Sequence, residues 1–469
     1  MTQLHELSAV ELAETIRRRE APIPEVAQHF LDRAQLHDDV GAFTTVAPDQ
    51  ALDRARLAQE VLMSDVRDLP RLFGVPVSIK DLEATRGIRT TYGSVLYRDW
   101  IPDRDDEIVQ VIRGAGLIDI GKTTVPEFGA ACYTEPEVAP PARSPFDPTL
   151  SAAGSSGGAG ASVGAALVPL AQGSDTAGSL RSPAAACGVV GLKPSRGLIT
   201  VGPTANDGMG LTSKGPMART VRDTAALLDV MASNVGAGTV HPSRTEGFET
   251  AVLQADSLPP QRIAVAPGSV SGGEVHPEVV AAILEVGTVL ETLGHRVFER
   301  AQAVDLELTG AFTAMFSALA GTKPVSDGAE DRLRPIVRHL RGLARDTDAG
   351  EFAAKVGVVQ ARARHWAMAY ADADFVVTST VTTPPVRIGA LRNDEDPAAE
   401  LAAMTTFTGN TIIANATGFP SISLPLGWTP EGIPIGVMIS ARWGCDAALL
   451  AISAQLESAM PWVSRYTFR

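Results

Sequence analysis

The chain has 469 residues, 45% of them hydrophobic, 20% charged and 5% aromatic, enough apolar material for a large core, and α/β enzymes of this size can remain one domain. Its net charge of −14 excludes the basic footprint that nucleic acid or an anionic membrane surface would need. Three cysteines (Cys132, Cys187 and Cys445) give neither a disulfide framework nor a metal-ligand spacing, no apolar run reaches the roughly 18 residues of a membrane span, and the start of the chain carries no signal core; the expectation is a cytoplasmic protein.

Ser8-Ala9-Val10-Glu11 forms a capping box that opens a helix to about Arg19, with Leu7, Val10, Leu12 and Ile16 on its apolar face. Pro24 opens a second helix to about Leu36, and 51–62 reads as a third. The β-branched run 75–79 suits a buried strand that ends at Lys80. Residues 108–115 and 117–120 read as helix then strand, and the small residues of 159–169 suit a closely packed helix. Downstream, 262–266, 277–293 and 296–298 form a β-α-β unit, and 375–378 is a further strand. A helical stretch, 306–368, interrupts the alternation, while 239–258 and 391–397 are polar and read as loops. Alternating strands and helices with no clear linker predict a single large α/β domain over 1–469.

Two serine-bearing glycine loops stand out, Gly154-Ser155-Ser156-Gly157-Gly158 and Gly173-Ser174-Asp175-Thr176-Ala177-Gly178-Ser179. Glycine lets the backbone approach a reacting carbonyl and turn N–H groups toward it. A serine in such a loop is a nucleophile when something takes its proton. All eight histidines lie outside 70–200, which leaves Lys80 as the acceptor. Two rival motifs fit by letter. Gly116 to Thr123 matches a P-loop, but an apolar strand fills its middle and Pro126 follows where a helix should begin. Gly154 to Gly158 matches a Gly-x-Ser-x-Gly elbow, but the preceding 145–153 is polar and proline-bearing instead of a strand. Taken singly, Lys80 reads as a solvated strand end and the serines as turn formers.

Taken together, these residues resemble the amidase signature family. Lys80 follows Gly74-Val75-Pro76, Ser155 opens a Gly-Ser-Ser-Gly-Gly loop, and Ser179 closes a Gly-Ser-Asp-x-x-Gly-Ser loop, as in the family. Ile120-Gly121-Lys122-Thr123, Pro126-Glu127-Phe128, 187–194, 215–219, 415–420 and 432–436 also read as the family reads, so the likeness runs from about Leu7 to Trp462. The resemblance implies a central mixed, twisted β-sheet covered by helices on both faces. It also implies a signature core of about 70–230 and a variable helical region of about 306–370 over the substrate pocket.

It further implies an amidohydrolase without metal or cofactor. Ser179 is the nucleophile, Ser155 (after a cis peptide) the proton bridge and Lys80 the base, with the N–H groups of Thr176, Ala177, Gly178 and Ser179 as oxyanion hole. Ser156, Asp175 and Arg181 are supporting residues, and Asp81 braces the strand end. A free lysine, with a pKa near 10.4, is no base at neutral pH; burial that lowers it to about 7–8 makes it one. Gly129, Ala131, Cys132, Tyr133, Phe312, Met315, Phe316 and Met438 are the candidate pocket residues. Two positions depart from the commoner pattern: Ala177 stands where glycine is usual, and Met438 where many members carry a polar residue.

Within the family, Thr134-Glu135-Pro136-Glu137, the loop 175–179 and Pro461-Trp462-Val463 are most similar to bacterial amidases of the cyclic nylon-oligomer hydrolase and aryl-acylamidase type. The expectation is a monomer or homodimer that acts on small neutral amides, with carbamates and urethanes as a further class. Two alternatives stay open: the glutaminase-type component of a tRNA amidotransferase, and a non-catalytic binding protein on the same fold.

Overall fold

The computed structural model describes residues 3–64, 66–202, 206–233 and 247–466. Its strands, in chain order, are β1 (Phe43–Val46), β2 (Pro76–Lys80), β3 (Ile118–Thr123), β4 (Leu170–Asp175), β5 (Val190–Lys193) and β6 (Ser213–Ala218), then β7 (Arg262–Val265), β8 (Arg296–Glu299), β9 (Phe375–Ser379), β10 (Ser421–Trp428) and β11 (Pro434–Ala441). All eleven join one sheet in the order β1-β3-β2-β4-β6-β5-β10-β11-β9-β7-β8. Pairing is parallel from β3 through β2 to β4 and again from β9 through β7 to β8, and antiparallel across the middle and at the β1 edge.

Period-two alternation builds a core on each side of this mixed sheet. Ile263, Val265, Phe375 and Val377 point into a core that also holds Val437 and Leu424. Their neighbours Ala264 and Val376 point into a second core with Phe312, Met315 and Trp366 from the covering helices. Helices therefore cover both faces, as an α/β architecture requires.

Local signals placed most of the expected elements. The Ser8–Glu11 capping box is formed, although the helix stops at Arg17. Strands β7 and β8 flank the helix Pro277–Thr292 and pair in parallel. The helix expected over 159–169 is shorter and earlier, Gly157–Gly164, with every residue buried. The helical stretch resolves into Leu306–Gly321, Pro335–Asp346 and Ala349–Ala369.

One expected loop needs correction. Of 239–258, residues 239–246 lie outside the described residues, but Phe248–Leu253 is helical and Ala255–Ser257 is a 3₁₀ turn. The N-terminal N–H groups of Phe248 and Glu249 donate to the Asp229 carboxylate, each at 2.9 Å. That cap comes from a distant residue, so the polar local sequence gave no sign of it. The P-loop reading also meets its answer: Gly121 and Lys122 lie inside β3, not at a helix entrance. Among the described residues, no helix is long and apolar enough to cross a membrane.

Candidate active site

Strand β2 is buried along its whole length, and its last residue, Lys80, has no exposed surface. The strand's apolar side chains pack on both sides and carry the amine into the protein. The Lys80 backbone N–H donates to Gln172 Oε1 at 3.1 Å. Its Nζ donates to the Ser174 carbonyl at 3.1 Å and stands 3.0 Å from Ser155 Oγ. Burial pushes the amine down to about 7; Glu83 and Asp175 pull the other way and Lys214 adds to the fall. An amine poised there exchanges a proton with a neighbouring hydroxyl at neutral pH.

Ser155 follows a cis Gly154–Ser155 peptide and is itself buried. Ser156 ties the two glycine loops together. Its N–H donates to the Ser179 carbonyl at 3.1 Å, and its hydroxyl donates to the Ser174 carbonyl at 3.2 Å. The loop leaves no room for larger neighbours. Gly129 has φ +71°, and a Cβ there would lie 2.7 Å from Leu82 Cδ1 and 3.3 Å from Ser155 Oγ.

The second loop is held by a buried ion pair. The Asp175 carboxylate accepts from the N–H of Gly178 (2.8 Å) and Leu180 (3.1 Å), and from Arg181 Nε (3.0 Å) and Nη2 (2.8 Å). Burial opposes its charge, yet Arg181 and these donors hold it well below the usual carboxylate range. Asn415 closes the cluster: it accepts from Arg181 Nη2 at 2.7 Å and donates to Asp175 Oδ1 at 3.0 Å. Thr411 reaches the same loop, donating to the Ala177 carbonyl at 2.7 Å.

This bracing revises the nominated oxyanion donors. The Gly178 N–H is turned into the Asp175 carboxylate and is not available to a substrate. The N–H groups of Thr176, Ala177 and Ser179 have no acceptor among the described residues. Gly178 is needed for shape instead: with φ +115°, a Cβ would sit 2.5 Å from Thr411 Oγ1.

Ser179 opens into a cavity lined also by Gly129, Ala131, Cys132, Gly154, Ala177, Phe312 and Phe316. Three nominated pocket residues lie elsewhere. Tyr133 turns its hydroxyl to Glu400. Thr309, Phe312, Thr313 and Phe316 share one face of their helix, which leaves Met315 on the stripe that packs into the second core. Met438 lies beneath the site with its Sδ 3.3 Å from Arg181 Nη1. Burial pushes the Cys132 thiol up, away from the reactive thiolate, so it lines the wall as a small apolar group. Asp81 braces as expected, accepting from the Thr91 N–H at 3.0 Å and lying 3.5 Å from Lys122 Nζ.

Sequence reasoning missed the far wall of the cavity, formed by Ser271, Leu401, Met404, Thr405, Thr408, Gly409 and Ile412. It also gave no role to Thr411 or to Asn415, although Asn415 opens one of the family-like runs in the tail. That run was the signal that could have placed Asn415.

Comparison with known proteins agrees with this geometry. The amidase family model matches residues 25–450. The 6-aminohexanoate-cyclic-dimer hydrolase of Paenarthrobacter ureafaciens is 35% identical over 441 residues, which cover 84% of each chain. The putative amidase of Synechocystis is 32% identical over 463 residues, 97% of this chain and 89% of that protein. The GatA-type component of the glutamyl-tRNA(Gln) amidotransferase of Thermus thermophilus is 34% identical over 477 residues, 96% of this chain and 97% of that protein. A solved structure of 6-aminohexanoate cyclic dimer hydrolase complexed with substrate superposes with a TM-score of 0.88 at 29% identity, covering 98% of both chains. The chain therefore belongs to the amidase signature family, and is a hydrolase acting on the C–N bonds of amides.

Proposed function

We propose that this enzyme cleaves small neutral amides, aryl and aliphatic acylamides with carbamates as a further class, through an acyl-enzyme on Ser179. The observation that carries the reading is the buried 3.0 Å contact between Lys80 Nζ and Ser155 Oγ, at the base of the cavity into which Ser179 opens. Neutral Lys80 takes the Ser155 proton as Ser155 takes that of Ser179, and Ser179 Oγ attacks the carbonyl carbon. The N–H groups of Thr176, Ala177 and Ser179 receive the developing oxyanion, a contribution of about 2.7–4 kcal/mol for each donor. The relay then runs backwards to protonate the departing nitrogen, and water releases the acyl group from Ser179.

The preference for neutral groups rests on the cavity wall. Among the described residues, no charged side chain lines it. Arg181, the nearest guanidinium, is wholly buried and committed to Asp175 and Asn415. The wall hydroxyls are spent within their own helices: Thr309 donates to Asp305 O, Thr313 to Thr309 O, Thr405 to Leu401 O and Thr408 to Met404 O. A free carboxylate would be desolvated there with no donor to meet it.

The likeness to an amidotransferase component keeps glutamine hydrolysis as the second reading. A panel separates them: an anilide, an aryl carbamate, a linear aliphatic amide, the cyclic dimer of 6-aminohexanoate and glutamine, compared by kcat/KM. Neutral substrates should lead. Glutamine turned over faster than every aryl substrate would overturn the preference, and no turnover by folded protein, with or without added metal, would favour a binding protein.

A further inference from the structure

A second buried charge pair adjoins the base. Glu83 lies three residues past Lys80 in a turn whose Glu83 N–H donates to the Lys80 carbonyl at 3.1 Å. Its side chain is 2% exposed, and its carboxylate is paired with Lys214 Nζ. Lys214 comes from β6, directly opposite Ser174 of β4 in the antiparallel register. It therefore projects on the same face as Ser174, whose carbonyl accepts from Lys80 Nζ. Gln172, two residues earlier on that face, joins the pair to the base. Its Nε2 donates to Glu83 Oε1 at 3.3 Å and its Oε1 accepts the Lys80 N–H at 3.1 Å.

The mechanism proposed above uses none of these residues, yet an unpaired carboxylate so near Lys80 would hold a proton on the amine. We infer that Lys214 is a positioning residue for the base: by neutralising Glu83 it keeps Lys80 free to accept a proton at neutral pH, and the Glu83–Lys214 pair sets the pH at which the enzyme switches on. This rests on the reading of Lys80 as the base.

Other charges nearby are fixed by partners of their own. Asp175 is locked to Arg181. Lys122 donates to the Glu83 carbonyl and to Thr90 Oγ1, and faces Asp81. Lys323, in the segment after Leu306–Gly321, stands 4.6 Å above the Tyr92 ring and feels Lys214, Glu83 and Asp106. Burial disfavours the charge on Glu83, but Lys214, Lys122 and Lys323 together hold its pKa below the ordinary value. Lys80 itself feels Glu83 upward and Lys214 downward. Removing either partner therefore moves the base, and in opposite directions.

The test is the acidic limb of kcat/KM against pH, measured on a neutral anilide. Lys214→Met should move the limb up by about one pH unit, and Glu83→Gln should move it down by a similar amount. The double variant Glu83→Gln/Lys214→Met should return it close to the wild-type position, and Lys214→Arg should leave it in place. Should Lys214→Met fail to fold, Glu83→Gln and the double variant still read the direction and the rescue. A limb that stays put in all folded variants while activity falls equally at every pH would overturn the inference and leave only a structural pair. Loss of the limb in Lys80→Met separates the two claims: if Lys80→Met keeps the wild-type limb, the base itself has been misassigned.

Discussion

The floor and the roof of the cavity are built on opposite principles. In the floor, polar groups hold one another across long stretches of chain: Lys80 with Ser155 and Ser174, Asp175 with Arg181, and Arg181 with Asn415. In the roof, the helices Leu306–Gly321 and Pro397–Thr408 present aromatic and aliphatic groups, and their hydroxyls are bonded back to their own turns. The floor fixes atoms to fractions of an ångström, which bond-making demands. The roof fills space without directional demands, which suits selection by shape. Damage to the floor should therefore strike the rate itself, and damage to the roof should redistribute preference among substrates.

The largest effect is expected from Ser179→Ala. Residues that act as a unit in catalysis are grossly non-additive, and loss of the nucleophile should lower kcat by about 10⁴-fold or more, on the order seen for nucleophile deletions elsewhere. Circular dichroism and Tm should be unchanged, because one hydroxyl is removed and the Ser179 carbonyl still accepts from Ser156. A serine-directed phosphonate should label the wild type at Ser179 and not the variant. Near-normal turnover by a folded Ser179→Ala protein would remove the floor from the chemistry altogether.

Next is Arg181→Met. It leaves the Asp175 carboxylate buried without its guanidinium, a change that costs about 3–5 kcal/mol when one partner of a buried pair is removed. Thermal unfolding should show a clear fall in Tm. The N–H groups of 176–179 lose their frame as well, so kcat should fall further than KM rises. A variant with wild-type Tm and kcat would show that the brace is dispensable.

These contrasts also separate what could be read in the sequence from what could not. Strand β2 and its terminal lysine were legible because β-branched runs mark buried strands locally. The family-like order of Lys80, Ser155 and Ser179 carried the rest of the floor. Gly178 was misjudged because its N–H direction depends on a side chain three residues earlier, which no motif encodes. Met315 was misjudged for a simpler reason: one helical step separates it from Phe316, enough to turn it from cavity to core. Met438 lies in a β-strand whose alternation was not read, and Arg181 claims its sulfur. Leu401, Met404 and Thr408 meet Phe312 only in the folded chain, so neither composition nor spacing could pair them.

The pH dependence of the floor should be moderate in size and definite in sign. Lys80 must be neutral to accept a proton, and its value of about 7 means that kcat/KM falls about tenfold per unit below that pH and levels above it. Stability follows the same group. The folded value lies below the unfolded one, so between about 7 and 10.5 the unfolded chain binds a proton that the folded chain has released. Stability therefore rises with pH across that window, and Lys80→Met should lose one proton's worth of the slope. Lys193, also lowered to about 7 by burial, keeps its own share, so a slope remains. Unfolding by urea at a series of pH values reads the difference; an unchanged slope in Lys80→Met would mean that Lys80 is charged in the folded protein.

The smallest effects belong to the roof, and they sharpen the comparison most. Phe312→Ala should change the ranking of bulky against small amides by about 10–200-fold, the usual worth of a side chain in an apolar pocket. Thr408→Val should do almost nothing. Its hydroxyl donates to Met404 O at 3.0 Å, within its own helix, and valine keeps the methyl that faces the cavity. We expect kcat/KM for an anilide to change by less than about twofold, with Tm within a degree or two of wild type. The two substitutions must be measured on the same substrates. A tenfold loss in Thr408→Val, confined to substrates with a polar substituent, would show that this hydroxyl leaves its helix to meet them. The roof would then be reading polarity as well as shape, and the division between floor and roof would fail at that residue.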